Sequence, residues 1–217
     1  MQSALAFLKR HYLFIEFTVF FLLIPISFML LPKRSVVFLC LWMVAIIGYF
    51  WMRYHDKEKL SHIMRFSKDY LPEIKRMAPL FLLNISLLAL LTYYLKPDLW
   101  LKFPSERPLV WAMVMLLYPI LSAAPQEFVY RVIFFQRYRP LFASDRAMIF
   151  ASSTTFGIAH AFLLNFIAPG LSIIGGVIFC LTYLKRKSFW LVLLEHALYG
   201  NMIFTLGLGY YFYHAAH

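Results

Sequence analysis

Residues 109–135 read LVWAMVMLLYPILSAAPQEFVYRVIFF, 27 residues whose only charges are Glu127 and Arg131. About 20 apolar residues are enough to cross a bilayer as a helix. The stretch is therefore a membrane span with an acid and a base inside it. A charge at mid-bilayer costs about 2.5–3.5 kcal/mol on insertion scales, so such residues pair up or line a functional cavity. Pro119 and Pro125 predict kinks, and a kink frees backbone groups that a buried cavity can use.

Working outward, six more apolar runs follow the same logic: Tyr12–Leu31, Ser35–Met52, Ala78–Leu95, Ala147–Phe166, Gly170–Leu184 and Phe189–Tyr210. The expected fold is all-α, a polytopic transmembrane bundle of seven spans. The long fourth and seventh runs leave room for an eighth short element. A chain that is 62% apolar and 19% aromatic is not a soluble domain. The first run is as long as a full span and lacks a small-residue cleavage site, so it reads as a retained helix. With no internal repeat or low-complexity linker, the chain reads as one integral-membrane domain over 1–217. Its motif-bearing core is 109–210. Cys40 and Cys180 are isolated in apolar stretches, which argues against a disulfide framework or a thiolate zinc site.

The net charge of +11 does not point to nucleic acid, because the basic residues lie scattered between apolar runs. They read as topology signals and contacts to anionic lipids. With the N-terminus cytoplasmic, fifteen fall inside: Lys9, Arg10, Arg53, Lys57, Lys59, Arg65, Lys68, Lys75, Arg76, Arg137, Arg139, Arg146, Lys185, Arg186 and Lys187. Five fall outside: Lys33, Arg34, Lys96, Lys102 and Arg107. That bias orients the chain N-terminus in and C-terminus out. Leu60–Met77 repeats its apolar residues at helical spacing with a basic opposite face. It predicts a cytoplasmic interfacial helix broken near Pro72.

Three polar groups lie inside the later spans. Counted from the cytoplasmic ends at 1.5 Å per residue, His160 is roughly 20 Å deep, His196 roughly 12 Å and Glu127 roughly 14 Å. Taken singly each has a plain reading. Glu127 and Arg131, four apart with the acid first, form a favourable helical pair. A lone membrane histidine is often a helix–helix hydrogen-bonding residue. Glu16 reads as reaching the interface, about 9 Å along the helix from Arg10. Glu195 points about 100° away from His196. Ser152, Ser153, Thr154 and Thr155 read as small packing residues. Taken together, a carboxylate and an imidazole can deprotonate a water in a low-dielectric cavity. A second histidine and an amide donor can stabilise the resulting oxyanion. The expectation is one cavity holding Glu127, His160 and His196.

The segments Gln126-Glu127-Phe128-Val129-Tyr130-Arg131, Phe156-Gly157-Ile158-Ala159-His160 and His196-Ala197-Leu198-Tyr199-Gly200-Asn201 resemble the CAAX protease and bacteriocin-processing (Abi) family of intramembrane endopeptidases. That family carries EExxxR, then FxxxH, then HxxxN or HxxxD on successive membrane helices. The resemblance covers Gln126 to Asn201. It implies that the first acid and the FxxxH histidine, here His160, activate water, and that His196 and an Asn form the oxyanion site. The chain departs twice. The first acid is Gln126, which cannot act as a base, so either Glu127 takes that role or the activity is lost or altered. The residue four after His196 is Gly200, with Asn201 one further on. Asn201 would come alongside His196 only through an i to i+5 bulge near Gly200, which is the expectation here.

The leading functional expectation is an intramembrane endopeptidase acting on a membrane protein or peptide, lipidated or not. The alternatives are a non-catalytic member that binds a membrane peptide or confers immunity, and a small proton-coupled transporter. Against the last, no inverted repeat is visible. No cofactor is favoured. A metal-dependent version would draw zinc ligands from Glu127, His160 and His196, but no HExxH helix is present and Arg131 would compete with a cation. The compact chain suggests a bacterial inner-membrane protein.

Overall fold

The computed structural model describes residues 2–30, 35–66 and 70–213. Lys33, Arg34 and Lys68 of the charge count, and Leu31 at the end of the first expected span, lie outside the described residues. Among the described residues, six helices are long and apolar enough to cross a membrane: α1 (Arg10–Leu30), α2 (Val36–His55), α4 (Leu71–Leu95), α5 (Pro108–Arg137), α7 (Ile167–Arg186) and α8 (Phe189–Leu206). Between them lie α3 (Lys57–Ile63) and α6 (Asp145–Ile158). The described residues contain no strand. Lipid offers no hydrogen bonds to the backbone, so each apolar run closes its own ladder as a helix. The outer faces carry Leu39, Ile47, Phe50, Leu82 and Leu116, all exposed, as a bilayer-facing surface requires.

Two expected elements take a different form. The Ala147–Phe166 run holds only the 14-residue α6, then a tight turn at Ala161–Leu163 and a left-handed Leu164. It packs antiparallel to α7 along its length, so the run still rises beside a full-length span, and its upper part is irregular. The interfacial helix over Leu60–Met77 does not form. α3 stops at Ile63, and Pro72 opens α4 within its first turn. A proline costs nothing there because the first N–H groups of a helix have no partner. The apolar periodicity of Leu71–Met77 belongs to the start of the third span.

Contacts at the two ends agree with the alternation of the spans. At the basic end, Trp190 Nε1 donates to the Met64 carbonyl at 2.7 Å, Tyr70 and Ser188 share a hydroxyl bond of 2.6 Å, and Glu73 pairs with Arg186. Glu16 also lies at this end. It accepts from Arg137 and, at 2.7 Å, from Tyr138, and so ties α1 to the end of α5. At the opposite end, Trp111 Nε1 donates to Thr205 Oγ1 at 3.0 Å and Asn165 Nδ2 to the Tyr211 carbonyl at 2.9 Å.

α5 is not a uniform helix. Wide π turns occupy Pro119–Ala123 and Phe128–Ile133. Pro119 and Pro125 have no N–H, so the carbonyls four residues back, on Met115 and Leu121, lose their helical donors. Asn201 Nδ2 donates to the Met115 carbonyl at 3.2 Å, and Trp42 Nε1 donates to that of Leu121 at 2.9 Å. Neighbouring helices thus satisfy the groups that the kinks release, and those groups are not left to a cavity. α6 and α7 approach closely through small residues. A Cβ on Gly176 would lie 3.0 Å from the Ser153 Cα, while Ser152 Oγ joins α6 to α5 by donating to the Tyr130 carbonyl at 2.8 Å. Half of α8 is buried, the largest share of any span, which makes it the central helix.

With the basic end cytoplasmic, single cysteines at the exposed positions Lys57 and Lys102 should be labelled by an impermeant thiol reagent from opposite sides. Labelling of the Lys57 site from outside intact cells would invert this map.

Candidate active site

The middle of α5 supplies two charges and α8 supplies the group that reads them. Glu127 and Arg131 have no solvent exposure, and Arg131 Nε lies 3.2 Å from Glu127 Oε2. The other carboxylate oxygen, Oε1, lies 2.7 Å from His196 Nδ1. A carboxylate can only accept, so Nδ1 carries the proton. The guanidinium sits over Phe156 at 4.7 Å and over Phe179 at 5.5 Å from the ring centroids. Those faces compensate part of its desolvation through cation–π attraction. Phe179 also stacks on His196, 4.7 Å between centroids and 22° between planes. The imidazole is thus held by a carboxylate at one nitrogen and a ring on one face. At its other nitrogen, Nε2 meets the Tyr118 hydroxyl at 2.8 Å.

His160 follows the C-terminal end of α6. Its Nδ1 donates to the Phe156 carbonyl at 2.8 Å, and Phe156 lies edge-on to the ring at 4.9 Å. With that proton fixed on Nδ1, the Nε2 lone pair is available. His160 and His196 line one cavity of about 680 Å³ whose other polar lining residues include Asn84, Tyr118, Ser122, Gln126 and Tyr199. The rest of its wall is mostly apolar. It continues onto the lipid-facing side chains Phe38, Ile47, Leu87 and Leu91, so the cavity opens sideways into the bilayer. The Gln126 amide nitrogen donates to Ser122 Oγ at 2.8 Å, while its buried Oε1 has no partner within the protein.

Residues 108–213 match the family described as type II CAAX prenyl endopeptidase Rce1-like. This part of the chain is similar to that family. No curated protein and no solved structure matches the chain. The match supports a CAAX-type intramembrane protease in general, and its span contains every motif residue named above.

The three Rce1-like motifs come together, with two corrections. His160 and His196 share the cavity, but Glu127 does not line it. The carboxylate lies one hydrogen bond behind, against His196, and the motif-one residue that faces the cavity is Gln126. Asn201 is not beside His196 either. α8 is a regular helix from Phe189 to Leu206, with no bulge at Gly200. Asn201 therefore stays off the His196 face, where it caps the Met115 carbonyl. Nor do Glu127, His160 and His196 fit a zinc site. Glu127 is engaged by Arg131 and His196 Nδ1, His196 Nε2 by Tyr118, and no group of three ligand-type residues among those described could hold a metal ion. Glu195 is buried and takes no part in the cavity.

Tyr118, Ser122, Asn84 and Phe179 escaped the sequence reading. One signal was present. Tyr118, Ser122 and Gln126 recur every four residues, a polar stripe on one face of an otherwise apolar span.

Asn201→Ala should cost about 1–2 kcal/mol of stability, because it strands the Met115 carbonyl, and should leave turnover per folded molecule unchanged. Thermal unfolding in lipid nanodiscs together with a turnover assay checks both. A loss of turnover with unchanged stability would return Asn201 to the site.

Proposed function

We propose that the chain is an intramembrane endopeptidase that hydrolyses a peptide bond of a membrane-associated substrate, and that His160 is the base that activates the water. The observation that carries this reading is the uncommitted Nε2 of His160 in a cavity that also holds His196 and opens to lipid. His160 Nε2 takes a proton from water, and the hydroxide adds to the scissile carbonyl carbon. The carbonyl oxygen becomes an oxyanion held by donors near His196. Collapse breaks the C–N bond, and the leaving amine takes the proton back from His160. Gln126 Oε1 accepts a hydrogen bond from the water and orients it. Glu127, with Arg131 behind it, fixes His196; it does not serve as the base.

The apolar wall suits a substrate that arrives from the bilayer, and the family description supports a prenylated C-terminal cysteine motif as its class. The basic end belongs on the cytoplasmic side against anionic lipids, and we place the protein in a bacterial inner membrane. One observation favours a second reading, a member that binds its peptide without cutting it. Gln126 stands where the resemblance expects an acid, and an amide cannot accept the proton.

Protein reconstituted in liposomes with a farnesylated peptide ending in a CAAX sequence separates the two. The endopeptidase reading expects release of the C-terminal tripeptide by the wild type and none by His160→Ala. It also expects at least about a tenfold gain in Gln126→Glu, where a carboxylate joins the base. A silent wild type beside an active Gln126→Glu would establish the binding protein instead.

A further inference from the structure

The second departure from the family pattern is Gly200, four residues after His196 and therefore on the same helical face. Its space is not empty. A Cβ built on Gly200 would collide with the Tyr118 ring and hydroxyl. Tyr118 comes from a different helix, α5, at the last residue before the Pro119 turn. Phe204 packs edge-on against it at 5.3 Å. Its hydroxyl reaches His196 Nε2 at 2.8 Å and borders the cavity. Tyr118 in this pose and any side chain at 200 exclude one another.

We infer that Tyr118 is the oxyanion donor of this enzyme: its phenol occupies the place that Gly200 vacates and does the work of the missing amide. The chemistry matches. A phenol both donates and accepts. With the single imidazole proton on Nδ1, donated to Glu127, the phenol donates to the Nε2 lone pair. As the carbonyl oxygen becomes charged, the phenol proton turns from Nε2 towards it. Only hydrogen bonds change in this step, and no atom leaves Tyr118. A donor whose ring is held by Phe204 and Gly200 beside His196 needs only a hydroxyl rotation as charge develops, and such little reorganisation is the condition under which such donors are most effective. The inference rests on the endopeptidase reading but makes a demand that reading does not, namely an exchange between positions 118 and 200.

The test uses liposome-reconstituted full-length protein and the farnesylated CAAX peptide, in the wild-type and Gln126→Glu backgrounds. Tyr118→Phe, which keeps the ring and its packing, should lower kcat by about 10²–10³-fold and leave KM within about twofold. Gly200→Ala should cause a similar loss, because its methyl group drives the ring from His196. Tyr118→Ala/Gly200→Asn should recover at least about tenfold over Tyr118→Ala, because an amide on the vacated face meets the same oxygen. Peptide binding measured on each variant confirms that the cavity is intact. Full turnover in Tyr118→Phe overturns the inference, as does a correctly folded double variant no faster than Tyr118→Ala. Where only the Gln126→Glu background cleaves, the wild-type endopeptidase reading falls, and the same comparison within that background still decides the role of Tyr118. If neither background cleaves, both fall.

Discussion

A buried carboxylate without exposure, shared between Arg131 and His196, fixes the geometry of the whole cavity. Removing two charges from water is expensive, and a pair returns that cost only with good geometry and further partners. Here Glu127 divides its oxygens, one to the guanidinium and one to the imidazole. Phe156 and Phe179 cover the guanidinium, and Phe179 also covers His196. Three helices, α5, α7 and α8, meet at this cluster, with Phe156 of α6 against it. The central position of α8 follows, because its histidine must reach a charge buried within α5.

This arrangement separates support from chemistry. Glu127 holds His196 through Oε1, keeps Oε2 within ion-pair distance of Arg131 and lies outside the cavity lining, so it reaches the cavity through His196. The groups that face the cavity with spare capacity are neutral: the His160 imidazole, the Gln126 carbonyl oxygen and the Tyr118 hydroxyl. Their neutrality suits a chamber that opens to lipid, where an uncompensated charge would be costly. The prolines of α5 belong to the same design. They widen the helix around the site, and Asn201 and Trp42 satisfy the carbonyls they release.

The sequence made the membrane bundle legible because length and hydropathy suffice for that. Glu127, Arg131, His160 and His196 stood out because polar groups are conspicuous among apolar ones. The failures have physical causes. Pro72 read as a breaker because sequence alone does not tell a first turn from an interior one. Asn201 looked like a donor because its need for a partner was visible, while the partner, a carbonyl freed by Pro119, belongs to another helix. Glu127 stood out by its charge, but adjacent positions on a helix face directions about 100° apart, and its place outside the cavity lining is not visible in the sequence. Gln126 took the cavity and Glu127 the interior. Tyr118 stayed hidden among 14 tyrosines, since only the spatial meeting with Gly200 distinguishes it.

Which histidine Glu127 touches can be read directly by ring-nitrogen NMR of protein carrying 15N-labelled histidine in lipid nanodiscs, with assignments from His160→Gln and His196→Gln. The expected result is a proton on Nδ1 of both rings, and a change at His196 alone when Glu127 is replaced by leucine. A bare Nδ1 on His196, or a Glu127→Leu spectrum that moves the His160 nitrogens and leaves those of His196 in place, would contradict it. Either outcome would put the carboxylate back in the cavity as the base.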